Sequence, residues 1–348
     1  MDSTRTLAAR MASQLLLEPA ESVLQAAEHM LAFQSQDFAA GRYALAQRSA
    51  AQESRQQVDA LFSEGRLVRS WTMRGTLHIC LAEDARWMTR ATRERTLRSS
   101  ATRMRGLQIG TQDIDQAAGI ISAHLLEHGQ ASRSALFKAL NQNGMETGQQ
   151  RGLVILQVLV LDGLICQGPI PQDAKLIAQD FVLVDEWIAS HREPGDPLAQ
   201  LLRRYLHSHG PATLRDAAWY TGQTLTTMRT AAEALGGLLS SAGSDERGEG
   251  YWVIAGSRAH RELEAMEPTG LPLRLLGPFD EYYLGYANRT LVADEQMAAQ
   301  ILPGKNGMFL PFWLEQGRAS KLWNAETAPT GKIGAALHQR YLDFKTAR

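Results

Sequence analysis

Gln34 and Gln36 bracket Ser35 in the stretch Phe33-Gln34-Ser35-Gln36-Asp37, and their spacing decides what they can do. A carboxamide both donates and accepts hydrogen bonds, so two that converge can hold a water or a polar ligand. On a helix, positions i and i+2 turn about 200° apart and the amides diverge. On extended backbone, or at a helix terminus, i and i+2 point the same way. The alternative is a pair of solvated glutamines at a helix end. Asp37 stands three residues after Gln34, so a helical backbone would instead put those two on one face. A second polar stretch, Trp71-Thr72-Met73-Arg74-Gly75-Thr76-Leu77-His78, places Arg74 at a glycine bend, where geometry exposes it. His78 is either a contact for a phosphate or ligand, or a satisfied strand residue.

Apolar residues recur at helical spacing over residues 4–17, 19–33, 39–49 and 54–64. The period then changes to that of two strands, 66–71 and 76–81, around Met73-Arg74-Gly75. Helices closing on a hairpin is the order of a winged helix. The order repeats as helices at 113–127, 132–141 and 148–162 with strands at 163–166 and 181–184. It repeats again as helices at 198–208, 213–221 and 224–235 with strands at 238–240 and 251–254. His128-Gly129-Gln130-Ala131-Ser132 and His209-Gly210-Pro211-Ala212-Thr213 occupy the same place in these two runs, a glycine closing one helix and Ser or Thr capping the next. From residue 271 onward, short apolar runs between Gly and Pro read as strands. The expected architecture is α+β: three tandem winged helices (1–108, 109–192, 193–262) and a small β-rich C-terminal domain (263–348).

The chain has 348 residues, 44% of them hydrophobic and 21% charged, an ordinary globular balance. No apolar run reaches the roughly 18 residues of a membrane span, and the start, Met1-Asp2-Ser3-Thr4-Arg5, lacks the order of a signal peptide. Cys80 and Cys166 sit in separate apolar strand-like runs and read as reduced core residues of a cytoplasmic protein. No HExxH and no CxxC spacing supports a metal, and no cofactor is implied. A net charge of −1 argues against a generic polyanion binder. Yet residues 86–105 carry seven arginines, among them Arg90 and Arg93, against the single acid Glu94. Such a run is either a solvated helix face or a surface for phosphate.

Taken together, Phe33-Gln34-Ser35-Gln36-Asp37, Met73-Arg74-Gly75-Thr76-Leu77-His78, His209-Gly210-Pro211-Ala212-Thr213, Pro278-Phe279-Asp280 and Asn306-Gly307-Met308-Phe309-Leu310-Pro311 resemble the winged-helix family of AlkZ-type and YcaQ-type bacterial DNA glycosylases. The resemblance covers nearly the whole chain. It implies excision of alkylated bases and unhooking of interstrand crosslinks, with a signature of Gln, an aliphatic residue, then Gln or Asp. Gln34 and Gln36 match it as the catalytic pair; Ser35 departs from it at the middle position. A 7-alkylpurine already carries positive charge and leaves without protonation. A neutral Gln cannot act as a base, but it can aim a water, and alignment is worth several kcal/mol. Asp37, Arg42, Arg69, Arg74, His78, Arg90 and Arg93 would then line the pocket or hold double-stranded DNA carrying the lesion. The protein would act as a monomer, away from any membrane. The competing expectations are a DNA-binding regulator without catalysis and a protein-interaction scaffold.

Overall fold

Helix starts in this chain are written by short polar side chains that take up backbone amides left over in the first turn. Ser22 accepts from Gln25 N, Asp37 from Ala40 N, Ser132 from Ala135 N and Thr213 from Asp216 N. Thr224, Asp280 and Asp294 do the same further on. In the computed structural model, which describes residues 2–171, 179–267, 270–304, 307–324, 326 and 331–346, these caps open well-formed elements. The chain begins with α1 (Ser3–Ser13), α2 (Val23–Met30), a two-residue strand β1 (Phe33–Gln34), α3 (Phe38–Gln47) and α4 (Arg55–Ser63). Then come β2 (Leu67–Met73), β3 (Thr76–Leu81), α5 (Ala82–Gly106), α6 (Thr111–His128), α7 (Arg133–Gln142), α8 (Arg151–Leu161), β4 (Ile165–Gln167), β5 (Phe181–Leu183) and the single turn α9 (Val184–Trp187). The third stretch holds α10 (Pro197–His209), α11 (Leu214–Thr221), α12 (Leu225–Leu235), β6 (Leu239–Ser244), β7 (Gly250–Ile254) and α13 (Arg258–Glu264). It closes with β8 (Arg274–Leu276), α14 (Glu281–Leu284), α15 (Glu295–Ile301), β9 (Phe312–Glu315), β10 (Arg318–Leu322) and α16 (Lys332–Thr346).

The chain divides into two units, one made of residues 1–58 with 198–348 and the other of residues 59–197. The division at residue 58 cuts through the stretch expected as the first winged helix, 1–108. In the second unit, β2 pairs antiparallel with β3 and β4, and β4 pairs with β5. Met73 faces Thr76 across a two-residue turn in which Arg74 (φ 51°) and Gly75 (φ 68°) both take left-handed backbone, the geometry that matches strand twist in tight hairpins. The core beneath gathers Trp71, Ile121, Leu125, Leu136, Leu156 and Leu159 from the hairpin and α6–α8.

The helix–helix–helix–hairpin order recurs, as α6–α8 with β4–β5 and as α10–α12 with β6–β7. In the first, Ala131 bridges antiparallel to Phe181; in the second, Ala212 bridges to Trp252. The two echoing pentapeptides thus each add a rung to the hairpin and then cap a helix.

The segment from 263 onward departs from the expected β-rich domain. Its strands have three, four and five residues, whereas α16 alone has fifteen. Of the run 308–313 only Phe312 and Trp313 are in a strand. Asp280 and Asp294 cap helices that Gly and Pro punctuation hides from a periodicity reading. Nor does this segment stand apart: Leu276, Phe279, Tyr282 and Phe312 share one core with Leu7, Met11 and Leu16 of the chain's beginning. No helix among the described residues is long and apolar enough to cross a membrane.

Candidate active site

Gln34 ends an extended strand, and Gln36 lies in the bend that leads into α3. The helical alternative for this stretch is therefore excluded, and Gln34 and Asp37 do not share a helix face. Asp37 is instead the cap of α3, accepting from Ala40 N at 3.0 Å. Gln34 is 8% exposed and Ser35 fully buried, whereas Gln36 stands at the surface. Only the second amide is thus open to solvent. Ser35 occupies the buried slot that its position between the glutamines dictates. A Cβ on Gly41 would stand 2.9 Å from the Ser35 Cβ, so α3 lies against this segment at a separation that a glycine permits.

Beneath the strand lies a polar layer built of α1, α3, α10 and α14. The Gln34 N–H donates to Glu281 Oε1 at 2.5 Å. The other carboxylate oxygen of Glu281 is 3.6 Å from His209 Nε2, and both side chains are buried. Next to Glu281, Asp280 takes two bonds from the Arg48 guanidinium, at 2.8 and 3.0 Å, and also caps α14 through Tyr282 N at 2.9 Å. Arg48 spends its remaining donors on the carbonyls of Gln14 (2.9 Å) and Ala44 (3.0 Å) and on Gln14 Oε1 (3.2 Å). Gln14 in turn donates to the Glu281 carbonyl and the Tyr286 hydroxyl, both at 3.3 Å. A buried ion pair holds only when its lone pairs and protons are met in this way. Burial keeps the surrounding phenols neutral, pushing Tyr286 up to about 12 and Tyr205 well above its ordinary value.

The expected contact residues have mixed fates. Arg42 is 1% exposed, with its guanidinium 4.2 Å from the Phe38 ring centroid and its Nε donating to the Phe38 carbonyl. That placement serves the fold and keeps it from a phosphate. His78 is wholly buried in β3, with Nδ1 3.0 Å from the Thr76 carbonyl. Arg69 is buried in β2 and donates to Gln167 Oε1 at 3.3 Å. Arg74 is half-buried in the turn of the hairpin.

On α5 the seven-to-one excess of arginine is met by acids from elsewhere in the second unit. Arg86 pairs with Asp185, Arg90 with Glu193 at 3.2 Å and Arg93 with Asp162 at 2.5 Å. The picture changes toward the helix's C-terminal half. Arg95 is exposed with no acidic partner among the described residues, and Arg103 and Arg105 bond only to Gln150 and Thr102. Arg90 and Arg93, expected to face DNA, are paired; on α5, the cations with charge to spare among the described residues are Arg95, Arg103 and Arg105. No group of three or more His, Cys, Asp or Glu gathers as a metal site would among the described residues.

A family model described as DNA glycosylase AlkZ-like matches residues 27–335. The chain belongs to that family. It is 27% identical over 308 residues to an interstrand DNA cross-link repair glycosylase of Streptomyces sahachiroi, spanning 83% of this chain and 78% of the relative. The solved structure of the Streptomyces sahachiroi DNA glycosylase AlkZ superposes with a TM-score of 0.80 at 21% identity, covering 98% of this chain and 96% of that one. The AlkZ-like fold is therefore that of the whole chain, mixed helix with small antiparallel sheets. Within it, the stretches that carried the resemblance have physical jobs. The His209–Thr213 pentapeptide turns, bridges and caps, Asp280 holds Arg48, and Phe309 packs edge-on to Phe279 at 5.6 Å. Asn306 lies outside the described residues.

Proposed function

We propose that the chain is a monofunctional DNA glycosylase that hydrolyses the N-glycosidic bond of alkylated, N7-purine-type or interstrand-crosslinked bases. Gln34 and Gln36 aim the attacking water. The observation that carries this is that Gln34 ends a strand anchored from below and lies just beneath the surface, while Gln36, in the bend that follows, stands at the surface. The water oxygen bonds to C1′ of the sugar as the bond from C1′ to the purine nitrogen breaks. The electron pair of that bond neutralises the cationic base, and the water's proton passes to solvent. No acid is needed on the leaving group, which restricts the enzyme to lesions that already carry charge. Alignment, not proton abstraction, is what two carboxamides supply.

Affinity for double-stranded DNA comes from the unneutralised half of α5. The two helix–helix–helix–hairpin runs, α6–β5 and α10–β7, support the tandem winged-helix reading of the chain. The protein works as a monomer in the cytoplasm, with no metal and no cofactor. Base release from duplex DNA containing 7-methylguanine, and from an N7-crosslinked duplex, tests the reading. Wild-type protein should release base, and Gln36→Ala should lose turnover by roughly 10²-fold or more while keeping adduct affinity. Wild-type protein that binds such DNA and releases nothing would make it a DNA-binding protein without catalysis. Arg95→Ala, Arg103→Ala and Arg105→Ala together should flatten the salt dependence of binding, each phosphate contact contributing a slope of about 0.9.

A further inference from the structure

The strand that carries Gln34 is held by a charged group from the far end of the chain. We propose that Glu281, which lies beside His209, is the positioning residue of the candidate catalytic segment. This rests on the reading of Gln34 and Gln36 as the pair that aims water.

Glu281 Oε1 accepts the Gln34 N–H at 2.5 Å across 247 residues of sequence. A backbone amide in a strand ordinarily finds a neutral carbonyl, and burying a carboxylate to do that work is costly. The imidazole of His209 lies beside that carboxylate. His209 Nε2 stands 3.6 Å from Glu281 Oε2, and its Nδ1 is 2.8 Å from the Ser208 hydroxyl, so the Nε2 edge is the one turned to the carboxylate. The 3.6 Å separation is that of an ion pair and too long for a hydrogen bond, and an amide bound to a carboxylate is held about twice as strongly as one bound to a neutral acceptor.

The His209 ring has little room to move. It stacks on Tyr205 at 4.9 Å and 14°, and it meets Tyr220 at 4.8 Å. A Cβ on Gly285 would stand 2.4 Å from its Cδ2, so that position has to be glycine while the ring is there. The cage also reaches the strand by a second route, since the Tyr220 hydroxyl donates to the Ala32 carbonyl at 3.4 Å. Tyr286 donates to the His209 carbonyl at 2.8 Å and Tyr205 to the Gly285 carbonyl at 2.9 Å, tying α10 to α14. None of these groups reaches solvent, so none touches substrate. Their effect is to fix where β1 lies, and with it the amides at 34 and 36.

The test uses the full chain with Glu281→Gln and Glu281→Ala. Single-turnover base release from 7-methylguanine duplex and affinity for the same DNA are measured beside amide hydrogen exchange over residues 33–36. Glu281→Ala should slow release about 100-fold, as misplacement by an ångström does. Glu281→Gln, which keeps an acceptor oxygen, should recover part of that loss, and both should leave adduct affinity within about twofold. Exchange at Gln34 should rise at least tenfold in the alanine variant. Base release and exchange both at wild-type values in the glutamine and alanine variants would overturn the proposal. So would a loss confined to DNA affinity. If wild-type protein releases no base, the glycosylase reading falls, while unchanged exchange in Glu281→Gln and Glu281→Ala would separately sink the role of Glu281. Should Glu281→Ala not fold, the glutamine variant decides through the same two measurements.

Discussion

The two helix–helix–helix–hairpin runs carry similar pentapeptides and put the first residue to opposite use. At the first, Ala131 bridges to Phe181 and Ser132 caps α7; at the second, Ala212 bridges to Trp252 and Thr213 caps α11. Those positions do identical structural work. The histidines do not. The His128 side chain is 49% exposed, 4.0 Å from its neighbour Glu127, whereas His209 is buried against Glu281. A motif repeated for folding can therefore hold one position that only one copy has put to a further purpose. The shared residues report the fold, and the residue whose surroundings differ points to the site.

Several substitutions would break or sharpen this contrast. The largest effect should follow Asp280→Ala, beside the second copy's partner Glu281, because it strands the Arg48 guanidinium in the interior. A loss of roughly 3–5 kcal/mol is expected by urea unfolding. Removing Asp113, whose bond to Arg151 is partly exposed in the other unit, should cost no more than about 1 kcal/mol. Next comes the histidine pair itself. His209→Ala opens a cavity among packed rings and should cost about 3 kcal/mol, while His128→Ala should stay within about 0.5 kcal/mol of wild type. Equal losses for the two would erase the contrast. The caps should behave alike: Ser132→Ala and Thr213→Ala are each expected to cost about 1 kcal/mol in thermal unfolding. The Thr213 loss should be the greater, since its buried hydroxyl also donates to Asp216 Oδ2 at 2.9 Å.

The effect that vanishes at neutral pH concerns acid. Burial, then the nearby His207, push His29 down from 6.5 to about 3, while its Nε2 meets the Ser13 carbonyl at 2.6 Å. As pH falls below 6.5 the unfolded chain takes a proton that the folded chain refuses, so stability drops between pH 6.5 and 3. The slope from this one group is at most about 1.4 kcal/mol per pH unit. His29→Gln should reduce the pH dependence of the unfolding midpoint in that window and leave it unchanged above pH 7.

Much of the local structure could be read from the residues alone. The caps at Ser132 and Thr213, the glycine bend after Arg74 and the helical periods of α6–α8 all announce themselves, because each is a matter of neighbours in sequence. What stayed hidden is non-local. The acids that neutralise Arg86, Arg90 and Arg93 come from residues 162–193, so a charge count along α5 overstated its positive field. Nothing in the sequence says that Arg42 turns inward over Phe38. The partners of Glu281 stayed hidden for the same reason, though a signal was present: two acids, Asp280 and Glu281, enclosed by Phe279, Tyr282, Tyr283 and Leu284. Charges set among that many apolar residues are buried with partners or not buried at all.

The contact between Gln34 and Glu281 spans 247 residues, and the whole of the 59–197 unit is made between them. A ribosome adding about 5–20 residues per second needs on the order of 10–50 s to bridge that interval. During synthesis the segment bearing Gln34 therefore waits, its apolar face uncovered, until the distant acid emerges. A nascent chain truncated before residue 280 should consequently be a client of chaperones, and the glutamine segment should become ordered only near the end of translation.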